Sequence, residues 1–256
     1  MKKKFWVVLL FITTAFFQNY LYSNSMDKLK SNKLKYITEF TTSYNNSIKK
    51  DANFDELLKC VKLSSILVEI LDSKKTRMII GLKGFKIATK MRKEYPEKVE
   101  GWYYSALLLG LVSLYKGAQF VLYDIPNIEK WTLKAFSINP GFKKGAPANL
   151  ACAIYYEAPG FPVSIWDIHK AKRYCEYVRT HYPTNCTNYL YLAAIYDITQ
   201  GKESAKQILL DGKKNCKAPD SSLEEKVWLE KDLESISIML NALDNGKSIK
   251  NFMKNR

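Results

Sequence analysis

Histidine is nearly absent: the 256 residues contain only His169 and His181. That scarcity removes the commonest acid–base group and metal ligand from most of the chain. His169 stands beside Lys170, Lys172 and Arg173, a pattern that fits a solvent-facing helix position, and Asp167, two residues away, falls on a different side of such a helix. His181 precedes Tyr182 and Pro183 at an expected helix C-terminus, where its cation suits the helix dipole. There is no HExxH, GxSxG, P-loop or GxGxxG pattern, and Glu224-Glu225 reads as the acidic first turn of a helix. No catalytic residue, metal ligand or cofactor is expected, and the chain reads as a non-enzyme.

Arginine is scarce as well. Of 40 basic residues only Arg77, Arg92, Arg173, Arg179 and Arg256 carry the planar fork suited to phosphates and base edges. The net charge of +15 is therefore lysine charge, which argues against nucleic acid. It fits a solvated face, with attraction to an acidic partner or, at the periphery of a membrane, to anionic headgroups. Eight prolines and 11 glycines are too few for a disordered or fibrous chain, and no alternating strand pattern stands out. What is abundant is apolar and aromatic: 47% of residues are hydrophobic, with 17 tyrosines and 12 phenylalanines to fill a core.

The N-terminus reads as an export signal. Lys2, Lys3 and Lys4 precede an apolar run over 5–17, and Ser23-Asn24-Ser25 offers a small-x-small cleavage site. The run is shorter than the roughly 20 residues of a comfortable span, so residues 1–25 are a signal peptide or, uncleaved, a signal anchor. The expected location is periplasmic, with a membrane tether if the segment stays. Five cysteines leave at least one unpaired, and no CxxC motif occurs. Cys60, Cys152 and Cys175 lie inside helical patterns and read as buried thiols. Cys186 and Cys216 bracket one helix pair, whose ends lie side by side if the pair is antiparallel, so a disulfide between them is a hypothesis.

Helical periodicity covers nearly everything else. Residues 27–43 read as an amphipathic helix or a frayed linker, broken by Asn45-Asn46-Ser47 and Lys49-Lys50-Asp51. A stronger helix follows over 54–71, with Asn53 or Asp51 to cap it. Prolines then recur at Pro96, Pro140, Pro183 and Pro219, in steps of 44, 43 and 36 residues. Three of them separate paired helical patterns: 79–94 from 99–115, 127–138 from 148–157, and 165–180 from 189–199. A last helix over 223–243 is suited to covering the end of an array.

The pair after Pro183 is the most regular. It reads Tyr189-x2-Leu192-Ala193-x2-Tyr196 and then Ala205-x3-Leu209-x2-Gly212. Large residues of one helix face large residues of the next, with small ones where the backbones approach. The pattern resembles a tetratricopeptide repeat (TPR) of about 34 residues. Trp102-x3-Ala106 and Ala135-x4-Pro140 resemble parts of further repeats, whereas the proline-rich insert at 158–163 is foreign to one. The expected fold is all-α: a degenerate TPR-like helical-hairpin array over 75–256, with an N-terminal helical extension over 26–74 and a C-terminal capping helix.

The whole is similar to spirochaete-type envelope TPR proteins and, more weakly, to the T-component family of periplasmic TRAP transporters. The first resemblance implies a scaffold that binds and stabilises another envelope protein, in some cases one needed for infection of a host. The second implies a solute-handling accessory, with an apolar cavity for which Leu107, Leu108, Leu111 and Cys152 are the expected lining. Helical register puts Trp102 and Tyr189 in the core. Tyr103, Tyr156 and Leu190 are then the candidate partner-binding residues of a groove, or else bridge neighbouring repeats, and Phe161 in its proline-flanked loop is a fourth contact or a plug.

Overall fold

The computed structural model describes residues 32–116, 118–159, 164–216 and 223–253. They form ten helices: α1 Lys33–Ser47, α2 Phe54–Ile70, α3 Lys74–Glu94, α4 Val99–Lys116, α5 Ala118–Ile138, α6 Ala146–Glu157, α7 Ile168–His181, α8 Cys186–Thr199, α9 Lys202–Asn215 and α10 Leu223–Asp244. No strand occurs among the described residues. The segments read as an export signal (1–25), Phe161 and Pro219 lie outside them.

Local chemistry sets several boundaries. Asn53 opens α2 with a capping box: its side chain accepts from the Glu56 amide at 3.0 Å, and the Glu56 carboxylate accepts from the Asn53 amide at 3.0 Å. Ser73 caps α3 by accepting from the Thr76 amide, so this helix starts before the expected residue 79. Of the two expected breaking segments, Asn45-Asn46-Ser47 stays helical, and the helix has ended before Lys49-Lys50-Asp51. Ser47 is fully buried, and its hydroxyl donates to the Glu56 carbonyl of α2, which carries α1 to that residue. Likewise α5 begins at Ala118 rather than 127 and runs through Pro126. That proline is exposed, so water can reach the carbonyl that loses its amide donor.

Consecutive helices pack on one another as hairpins, so the chain is an all-α helical-hairpin array. Two close approaches show how. A Cβ on Gly101 of α4 would sit 2.6 Å from the Arg92 backbone nitrogen of α3, and one on Gly212 of α9 would sit 2.8 Å from Cβ and Cγ of Tyr189 on α8. Only glycine lets these helix pairs come so near.

Second neighbours also touch: α1 with α3, α2 with α4, α6 with α8, and α8 with α10. The even-numbered helices therefore form an inner row, interrupted between α4 and α6, which are linked through α5, and α10 returns to pack on α2. Its Val227 belongs to the core of α1–α4, with Leu57, Leu67, Ile87, Met91 and Tyr104. Its Ile236, Met239 and Leu243 belong to the core of α6–α9, with Tyr156, Tyr189, Leu190 and Leu209. The C-terminal helix thus bolts the first hairpins to the last and closes the row into a ring.

The helices on either side of residue 74, α2 and α3, bury their apolar faces in one cluster. One reading needs correction here. Cys152 and Cys175 are buried but not free thiols: they form a disulfide between the antiparallel neighbours α6 and α7, with Cα atoms 5.6 Å apart. Cys186 and Cys216, at the facing ends of α8 and α9, are also joined, with Cα atoms 5.2 Å apart. Cys60 is free and fully buried.

Candidate functional site

The ring borders a half-open cavity of about 530 Å³, within the roughly 300–1,000 Å³ of small-molecule sites. Its walls come from helical stripes. On α6 the lining residues are Ala146, Asn149, Leu150, Ala153, Ile154 and Glu157, an i, i+3, i+4 series along one face. On α4 they include Tyr103, Leu107, Gly110, Leu111 and Leu114, and on α5 Val121, Ile125 and Ile128. Trp228 and Leu229 of α10 complete an apolar enclosure.

Polar groups collect at the edges. Glu69 of α2 forms an ion pair with Lys231 of α10 across the seam of the ring. Thr187 donates to the Asp232 carboxylate at 2.5 Å, and Tyr191 donates to Glu157. Two turns meet at one corner, the one before α6 and the one before α8. There Asn185 donates to the Lys144 carbonyl at 2.8 Å and accepts from the Asn149 amide group at 2.6 Å.

The expected groove residues fare unequally. Tyr103 lines the cavity at 9% exposure, its ring edge-on to Phe142. Tyr156 and Leu190, by contrast, are 1% and 0% exposed and belong to the core of α6–α9, so neither offers a groove surface. Tyr156 donates to the Lys250 carbonyl of the C-terminal segment, which Asp197 holds by accepting from the amides of Ile249 and Lys250. Burial pushes its phenol well above the ordinary tyrosine range.

On α8, Cys186 and Thr187 of the first turn reach the cavity, and so does Tyr191, one step from Leu190 and so about 100° around the helix. Tyr189 is core, as its register implies. Trp102 is only half-buried. Its Nε1 donates to the Pro96 carbonyl at 2.8 Å, and the Arg92 guanidinium lies 5.2 Å from its ring and 4.0 Å from that of Trp131. Of the cavity residues expected from sequence, Leu107 and Leu111 are in place, whereas Leu108 and Cys152 are fully buried in the flanking cores.

Both histidines are exposed, and His181 Nδ1 lies 2.8 Å from the Tyr177 carbonyl one turn back. Asp167 is held below the ordinary carboxylate range by the Lys170 amide and then the His169 amide, as an N-cap rather than a base. Burial pushes the Cys60 thiol up to about 11, against weaker opposing hydrogen bonds from Ser47 and Ser43, so it is a neutral core group. Among the described residues, no group of three His, Cys, Asp or Glu is placed to hold a metal ion, and no helix is long and apolar enough to cross a membrane. No protein-family model matches the chain, and no curated protein matches its sequence.

Proposed function

We propose that this chain is a non-enzymatic, exported binding protein that takes a small, largely apolar ligand into the cavity bordered by its ring of helices. The observation that carries this reading is the apolar face of this half-open cavity. Helices α4, α5 and α6 pack together through Leu109, Ile128 and Ile154 and turn further leucine, isoleucine and valine side chains towards one space, which α10 also borders. A concave, mostly apolar surface of this size is the usual form of a small-molecule site. The reading agrees with the weaker of the two resemblances, to an accessory of periplasmic solute handling.

The test is uptake of the neutral fluorophore N-phenyl-1-naphthylamine by the purified full chain, compared with Ala153→Trp, which places an indole inside the cavity. Saturable uptake that Ala153→Trp abolishes at unchanged helix content supports the reading. Equal uptake by both proteins refutes it.

A scaffold that holds another envelope protein, with a role in host infection in some such proteins, is the second reading. It draws on the array and on two large side chains near the α4–α5 junction, Leu114 at 57% and Tyr123 at 80% exposure. Loss of a stoichiometric envelope partner on Tyr123→Ser, at unchanged fluorophore uptake, distinguishes it.

A further inference from the structure

We propose that the outer face of α3 docks on a membrane surface, and that the surface it takes is a bilayer carrying anionic headgroups. This inference stands apart from the cavity reading. Residues 74–93 contain eight basic residues and no acid, and the first acid of the helix is its last residue, Glu94. The other odd-numbered helices, which lie outside the inner row, carry acids within their length: Glu39 on α1, Asp124 and Glu129 on α5, Glu176 on α7, Glu203 and Asp211 on α9. Charges of both signs are the pattern of a face that is only solvated, and α3 departs from it.

The bases of α3 are sorted by side. Its two arginines turn inward. Arg77 donates to the Leu71 carbonyl and, at 3.2 Å, to the Tyr115 hydroxyl, and Arg92 lies over the Trp102 and Trp131 rings. The lysines stay outside. Lys75, Lys86 and Lys93 are exposed, and among the described residues no lysine of α3 is in an ion pair. Lys83 and Lys90 follow one flank, the first over the Tyr44 ring at 5.1 Å and the second donating to the Ser47 carbonyl at 3.2 Å.

Helical geometry lines these groups up. Lys75, Ile79, Leu82, Lys86 and Lys93 stand at i, i+4, i+7, i+11 and i+18, within roughly 60° of one another around the axis and over about 27 Å of helix. In the middle of this stripe Ile79 and Leu82 are 44% and 38% exposed, and neither belongs to a core cluster. Aliphatic side chains set between lysines suit a helix lying in the plane of an interface. The aliphatics enter the boundary of the acyl chains, while the lysines reach headgroup phosphates on their long stems. The stripe holds none of the tyrosine, tryptophan or arginine anchors that dominate protein interfaces, which favours a bilayer over an acidic protein.

The start of the fold lies at the same place. Lys33, the first residue of α1, pairs at 2.5 Å with Asp72, next to the Ser73 cap of α3. The apolar run at 5–17 is therefore joined to the fold beside the first turn of the lysine stripe.

The test is lysine acetylation of the full chain, read residue by residue by mass spectrometry. Vesicles are made of phosphatidylcholine alone or of equal parts of phosphatidylcholine and phosphatidylglycerol. The anionic vesicles should slow Lys75, Lys86 and Lys93 about fivefold and leave Lys130, Lys213 and Lys214, exposed on α5 and α9, unchanged. Reading each residue separately keeps the result clear of any insertion of the N-terminal run. No slowing on α3, equal slowing of all six lysines, or equal slowing by the neutral vesicles overturns the proposal. The double variant Ile79→Ser, Leu82→Ser then separates a bilayer from an acidic polypeptide, for which polyglutamate is the probe. It should raise the lipid concentration for half-maximal protection about tenfold and leave protection by polyglutamate unchanged, which also shows that the helix still stands. Vesicle binding indifferent to the two serines, with polyglutamate protecting the same lysines, assigns the face to an acidic protein and overturns the bilayer.

Discussion

Replacing Lys231 by methionine tests whether the ring is held shut where the structure closes it. Lys231 and Glu69 are the ion pair between α10 and α2, with side chains 29% and 5% exposed. The asymmetry sets the magnitudes. Methionine keeps the packing of the lysine stem but leaves the Glu69 carboxylate buried without its cation. Breaking a fully buried pair costs about 3–5 kcal/mol, and breaking an exposed one less than about 1 kcal/mol. A pair with one end still wetted falls between, at about 2 kcal/mol. That corresponds to a fall in Tm of roughly 4–8 °C for a chain of this length.

The reverse change, Glu69→Met, is expected to cost less, because the freed ammonium can extend to water along its stem. Removing both charges should recover most of the loss, since an apolar pair avoids the desolvation that the ions required. The assay is equilibrium urea unfolding by far-ultraviolet circular dichroism on the parent, both single variants and the double variant, read as a double-mutant cycle. The outcome that would falsify the latch is a Lys231→Met variant within about 0.3 kcal/mol of the parent. A double variant as unstable as Lys231→Met alone would locate the cost in lost packing instead. The cation over the Trp228 ring, 5.6 Å from its centroid, is a small further contribution of lysine that both Lys231→Met proteins lose alike.

Four further outcomes follow from the same structure. Thiol titration of the oxidised, denatured chain should find one reactive thiol, from Cys60, and five after reduction; any other oxidised count removes at least one of the two disulfides. Loops of 23 and 30 residues put the stabilisation at about 3 kcal/mol for each bridge, so Cys152→Ser with Cys175→Ser should lower the urea midpoint without changing the helical spectrum. The Cys60 thiol, raised to about 11 when folded, stays protonated after the unfolded thiol has ionised. Its contribution is therefore full below the unfolded pKa and is lost as pH rises towards 11. The stability gap between the parent and Cys60→Ala should narrow by about 2–3 kcal/mol over that window, and a gap independent of pH would contradict the burial. Gly212→Ala should destabilise in spite of its helical gain, because the new Cβ meets Tyr189 at 2.8 Å; equal or higher stability in thermal melts would mean that the α8–α9 contact can open without cost.

The sequence made the helices legible because their signals are local. Asn53 and Glu56 are three residues apart, and the Tyr189 and Gly212 positions follow from spacing alone. The misplaced ends have non-local causes: α1 continues through Asn45-Asn46-Ser47 because a carbonyl of α2 receives the Ser47 hydroxyl. The cavity was harder to see for a different reason. An inner stripe such as Leu150, Ala153 and Ile154 has the composition of a core stripe, so periodicity finds it without saying what lies opposite. That is how Leu107 and Leu108, or Leu190 and Tyr191, exchange roles on a rotation of about 100°. Closure itself joins residues 162 positions apart, Glu69 and Lys231, and no local pattern encodes such a pair.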